Sequence, residues 1–149
     1  LDETPVTEFS ISNKQMKATF VIQNGAVALK KLTAKATKIT IPNTVKAPNG
    51  KKYKVTEILA EALKGNKNLK TVIIPKNVKV LKKNLFKGCK KLKTIGIIGT
   101  IKTVKKGAFA GIKNVMIRIN DVTKKEFNRI KTTIEKSGIG KTVKIVKGK

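Results

Sequence analysis

Cys89 is the sole thiol in a chain of 149 residues that contains no histidine. A thiolate–imidazole nucleophile therefore cannot be assembled, and most zinc sites are out of reach. One cysteine also forbids an intrachain disulfide. Cys89 stands beside Gly88 among apolar residues, where a small buried side chain is the expected role rather than a nucleophile. The carboxylates are few: Asp2, Glu3, Glu8, Glu57, Glu61, Asp121, Glu126 and Glu135. Glycoside hydrolysis needs two carboxyls converging on one cleft. The nearest approach to a pair, Glu57 and Glu61, lies beside lysines that pair with acids as ordinary surface charges. Ser137-Gly-Ile-Gly-Lys-Thr142 brushes against a phosphate loop, but the glycine required five residues before Gly140 is Glu135. A helix precedes and a strand follows, the reverse of the order that loop requires. No catalytic residue, metal site or cofactor is expected.

What remains is charge. Thirty-five basic residues face eight acidic ones, for a formal charge of +27, and only Arg118 and Arg129 are arginines. Phosphate and base-edge recognition favour the forked guanidinium, whereas lysine offers a hydrated point charge on a flexible stem. A scattered lysine coat suits solubility and loose attraction to polyanions. A specific nucleic-acid role is not expected: Phe86, Phe109 and Phe127 belong to repeat or helix cores, and Phe9 and Phe20 to N-terminal strands. Tyr53 alone would be free to stack on a base. Basic polyanion or nucleic-acid binding is kept as the alternative function. No apolar run approaches the ~18 residues of a membrane span, so membrane insertion is not expected.

The elements that position these charges are legible as a repeat. Ile58, Leu81 and Val104 recur every 23 residues, as do Ala62/Leu85/Ala108, Leu63/Phe86/Phe109, Gly65/Gly88/Gly111 and Leu69/Leu92/Val115. After each glycine an extended segment alternates apolar and polar residues, with Val72/Ile74, Ile95/Ile97 and Ile117/Ile119 as the apolar partners. The third unit has lost one residue after Gly111. Upstream, Ile39, Ile41 and Pro42 match Val72, Ile74 and Pro75 at an offset of 33, with the Pro48–Tyr53 turn as the insertion. A period of 20–29 residues carrying one strand marks a leucine-rich-repeat solenoid. One such unit cannot bury its apolar face alone; stacking does that.

The ends read differently. Asn24-Gly25 between alternating runs signals a hairpin within an N-terminal β region. Residues Leu1 to Pro5 read as a frayed terminus. Thr123 and Glu126 form a capping box, Val122 and Phe127 a hydrophobic staple, and Phe127, Ile130 and Ile134 one apolar stripe. Gly138 is placed to end the helix, and a last strand spans Thr142 to Val146. The expected fold is α/β: a short solenoid of about three full units, with curved stacked strands and short helical turns. Residues 1–34 are the N-terminal β-hairpin cap, 35–120 the solenoid, and 121–149 the C-terminal helix–strand cap, together forming one structural domain.

The strings VTEILAEALKGNKNLKTVIIP (Val55–Pro75) and LKKNLFKGCKKLKTIGI (Leu81–Ile97) resemble the BspA-like leucine-rich-repeat family of bacterial surface proteins. Phe86, Gly88, Cys89, Leu92, Ile95 and Ile97 match its unit, as do Ala108, Phe109 and Gly111 in the next; coverage runs from about Lys35 to the C-terminus. Ile98 replaces the strand-ending proline, and Asn66 and Ile112 replace the motif cysteine. The resemblance implies a secreted or cell-wall-associated protein, its signal peptide removed, that adheres to proteins or glycans of host or microbial surfaces. It also implies no catalytic residues. Anionic wall polymers are further possible partners. The expected binding face is the outer side of the strands, through Lys70, Thr71, Ile73, Lys93, Thr94, Gly96, Met116 and Arg118. Stacking would also align lysines in columns: Lys67/Lys90/Lys113, Lys82/Lys105 and Lys83/Lys106. Two such charges ~5 Å apart repel by about 0.8 kcal/mol in water, which is tolerable without a ligand.

Overall fold

β-Branched residues alternating with polar ones form strands here because one side of each strand meets a shared interior and the other meets water. The computed structural model describes residues 7–149; the expected fraying of Leu1 to Pro5 lies outside them. Five of its strands build a single parallel sheet: β4 (Lys38–Thr40), β7 (Thr71–Ile74), β9 (Thr94–Ile98), β11 (Met116–Asn120) and β12 (Lys144–Lys147). In register across them run Ile39, Val72, Ile95, Ile117 and Ile145. The first four are buried and the fifth packs half-buried against the same core. Each fully buried aliphatic side chain contributes about 1.5–3 kcal/mol relative to exposure, so a strand excluded from the stack would forfeit most of its stabilisation.

Behind this sheet the coil returns through β8 (Val80–Leu81) and β10 (Thr103–Val104), which pair in parallel. Leu81 and Leu63 are buried there, and Phe86 stacks on Phe109 with ring centroids 5.5 Å apart. The segments joining β8 and β10 to the next strand are runs of hydrogen-bonded turns, with N–H to carbonyl bonds three residues apart, so the chain is mostly strands with one regular helix. The left-handed backbone recurs in each turn. Glu61, Asn84 and Gly107, spaced at the 23-residue period, have φ of 67°, 58° and 80°, and Gly65, Gly88 and Gly111 have 88°, 88° and 84°. Glycine fills the second column because a Cβ is disfavoured there by about 1–2 kcal/mol.

At the N-terminal end β1 (Glu8–Ser12), β2 (Met16–Gln23) and β3 (Ala26–Ala34) run antiparallel, with Asn24 and Gly25 at φ 52° and 75° in the turn the sequence predicts. β3 then pairs in parallel with β6 (Lys52–Ile58), and β6 forms a hairpin with β5 (Thr44–Lys46). That hairpin is the extra chain in the 33-residue unit, and it leaves Ile39 opposite Val72 as expected.

At the other end α1 (Lys124–Lys136) begins with the capping box, the Thr123 hydroxyl accepting from Glu126 N–H and the Glu126 carboxylate from Thr123 N–H. Ile130 and Ile134 are buried, and Gly138 has φ 94° just beyond the C-cap residue Ser137. Arg129 donates to the Ile101 carbonyl at 3.0 Å, and the Ser137 carbonyl accepts from Gly107 N–H at 3.0 Å. The helix thus lies where the other coils carry a short strand and a turn. β12 then rejoins the parallel sheet beside β11. The last strand therefore continues the stack, and the sheet holds five rungs where the sequence count gave about three full units. The residue missing from the third unit falls between Gly111 and Met116, because Met116 pairs with Thr94, 22 residues earlier rather than 23.

Candidate interaction surface

Outward-facing side chains of the parallel sheet fall into two columns. Lys38, Thr71, Thr94, Met116 and Lys144 form one; Thr40, Ile73, Gly96, Arg118 and Val146 form the other. Backbone pairing fixes neighbours in a column about 4.8 Å apart. Thr71, Ile73, Thr94, Gly96, Met116 and Arg118 are thus brought onto one face. Lys70 and Lys93 sit one residue before their strands, exposed at its edge. Gly96 leaves a notch roofed by its neighbour: a Cβ built there would meet Ile73 Cγ1 at 3.2 Å. Arg118 is exposed, and its guanidinium lies 3.8 Å from Met116 Sδ. Lys38, Thr40, Lys144 and Val146 also belong to the face, though the sequence reading did not include them. Alternation at β4 marked the first pair. The second was hidden because β12 reads as part of a terminal element rather than as a rung.

The lysine columns lie on two different walls. Lys67, Lys90 and Lys113 are exposed just after the left-handed glycines, on the approach to the strands. Lys82, Lys83, Lys105 and Lys106 follow β8 and β10 on the rear wall, where Lys82 is half-buried and ion-paired with Glu57. Glu57 also accepts from Gln23 Nε2 at 3.2 Å, while Glu61 pairs with Lys64 at 3.8 Å. The two carboxylates thus serve separate ion pairs and do not converge on a common substrate position.

Cys89 is 5% exposed, and its Sγ lies 3.4 Å from the Leu63 carbonyl. Burial pushes its thiol up to about 11, so it is protonated at neutral pH and a poor nucleophile. Asn66 occupies the equivalent place one rung earlier. Its Oδ1 accepts from Ala34 N–H at 2.8 Å, and its Nδ2 donates to the Leu32 and Leu63 carbonyls at 2.8 and 2.9 Å. Among the described residues no group of three or more metal-ligating side chains forms, and no helix is long and apolar enough to cross a membrane. Phe9, Phe20, Phe86 and Phe109 are buried; Tyr53 and Phe127 are half-buried. None of these rings belongs to the two outward columns of the sheet.

Coils of one strand, a corner, a short return strand and a glycine-closed turn define a leucine-rich-repeat protein. The model of the BspA-type leucine-rich-repeat region matches residues 25–147 in six copies, and the chain belongs to that family. Its fold is similar to that of a leucine-rich-repeat protein from Bacteroides capillosus (TM-score 0.64, 23% identity, 74% of this chain and 80% of that one). It is also similar to one from Bacteroides ovatus (TM-score 0.51, 18% identity, 93% of this chain), of which it spans only 37%. No curated protein matches the sequence.

Proposed function

We propose that the chain is a non-enzymatic interaction module of a secreted or cell-wall-associated bacterial protein, adhering to a protein or glycan of a host or microbial surface. The observation that supports this is the outer face of the parallel sheet: nine side chains and the Gly96 notch in two columns, held in register by five strands. Such a face is rigid because its backbone hydrogen bonds are already made, so binding orders little beyond side chains. Ile73, Met116 and Val146 supply apolar contact area, Arg118 a forked donor, and the threonines hydroxyls that can donate or accept. Within this reading β1–β3 close the core at the first rung. Residues 121–149 close it at the last, α1 covering the end of the core and β12 serving as the final rung, giving the division 1–34, 35–120 and 121–149.

The test is capture of the chain by immobilised matrix proteins and glycans at low and high salt, for the native protein and for Arg118→Glu. Binding through the face persists in high salt, where attraction by net charge fades, and weakens in the variant. Loss of all binding at high salt sinks the proposal.

A further inference from the structure

Parallel strands start at the same edge, so the turns leading into them make a second surface that adjoins the outer face along Lys70, Lys93, Thr94, Met116 and Lys144. Three depressions lie along that edge. One of about 600 Å³ runs between residues 33–37 and 65–70 and is lined by Lys35, Lys67, Lys70 and Lys91. The next, about 290 Å³, shares Lys70 and Lys91 with it and adds Lys90, Lys93 and Lys113. The third, about 370 Å³, shares Lys93 and Asn114 with the second and ends at Lys144. Shared walls make them one trough across all five rungs, roughly 19 Å long at the strand spacing.

Its electrostatics differ from those of the rest of the coil. Eight lysines line it, and none of the described carboxylates does. Glu8, Glu57 and Glu61 instead pair with Lys30, Lys82 and Lys64, all outside the trough. Uncompensated like charges along a groove focus a positive potential there. Between the lysines stand neutral groups: the hydroxyls of Thr33, Thr37 and Thr142 and the carboxamides of Asn68 and Asn114. No aromatic side chain lines it, so bases would find nothing to stack on.

We infer that this trough binds a linear acidic polysaccharide lying across the rungs, its uronate-type carboxylates on the lysines and its hydroxyls on the threonine and asparagine side chains. Lysine point charges suit carboxylates spaced along a flexible chain without demanding bidentate geometry. Amide and hydroxyl groups interleaved with the charges match the mixed donors and acceptors of a sugar.

The full chain is titrated with hyaluronate oligosaccharides, with uncharged dextran and single-stranded oligothymidylate as comparators. Two variants each remove three exposed charges: K67Q/K91Q/K113Q in the trough, and K83Q/K87Q/K106Q on the rear wall. The trough variant is expected to lose about tenfold or more in hyaluronate affinity, with a salt slope flatter by about 2 to 3, and the rear variant less than about twofold. Equal losses in both would reduce the effect to net charge and overturn the site. Hyaluronate binding no tighter than dextran overturns it as well. Oligothymidylate binding as tightly with the same trough dependence overturns the polysaccharide assignment. None of the six lysines lies on the outer strand face, so failure here leaves the face proposal standing, and the reverse also holds.

Discussion

Asn66 tests whether the first repeat is fastened to the N-terminal strands by side-chain hydrogen bonds or by apolar contact alone. It is 7% exposed and makes three hydrogen bonds, two of them to Leu32 and Ala34 across the junction. In Asn66→Ala the Leu63 carbonyl keeps the Cys89 thiol as a partner, but Ala34 N–H and the Leu32 carbonyl lose theirs. Each orphaned buried group costs about 1–3 kcal/mol, so the expected destabilisation from the two is about 2–6 kcal/mol. Asn66→Asp separates the two halves of the side chain. It can still accept from Ala34 N–H, but as a carboxylate it faces two carbonyls it cannot donate to, so its folded-state pKa rises above the unfolded value. Its stability deficit against the native protein is therefore smallest below the unfolded carboxyl pKa of about 4 and grows as pH rises through the folded one. Urea unfolding of the native chain and both variants across pH measures this. An Asn66→Ala change of less than about 1 kcal/mol, or a pH-independent deficit for Asn66→Asp, would falsify the fastening role.

Glu61 holds a left-handed backbone where later rungs use asparagine and glycine. Glu61→Asn should stabilise by about 0.5–1 kcal/mol in thermal or urea unfolding, because the lost pair with Lys64 is exposed and weak; no gain would show that the turn carries no strain there. Cys89 should react with a disulfide reagent at neutral pH only as fast as the coil opens, and rapidly in denaturant; prompt labelling of the native chain contradicts its burial. Glu126 is held below its ordinary pKa, first by the Thr123 N–H, then by the Thr123 and Thr100 hydroxyls. A depressed carboxyl contributes stability above its unfolded pKa and loses it as pH falls through the folded one. The deficit of Glu126→Gln relative to the native chain should therefore shrink below about pH 4.5; a deficit constant from neutral to acid pH removes the linkage.

Much of the strand stack was legible because burial repeats: Val72, Ile95 and Ile117 recur at positions that only a shared interior explains, and pairing places them side by side. The 33-residue offset, the Asn24-Gly25 turn and the Thr123 cap were legible for local reasons, since backbone sign and capping chemistry need no tertiary knowledge. Two things were not. The role of β12 as a fifth rung depends on where a helix deposits the chain, which apolar alternation cannot state. Nor does a column of lysines disclose which wall it occupies: Lys67 and Lys82 look alike in sequence but face different neighbours, one along the strand edge and one beside Glu57. Outward positions on the three middle strands, β7, β9 and β11, were readable from parity alone, while the trough needed the turns of successive rungs assembled in space.

The coils are unequal in length yet deliver their strands in step. Lys38 meets Thr71 after 33 residues, Thr94 meets Met116 after 22, and Met116 meets Lys144 after 28. Hairpin, deletion and helix are all absorbed at the periphery. What the molecule displays and how much chain it uses between displays are thus independent variables: substitution can retune the front while insertion remodels the back, and neither disturbs the other.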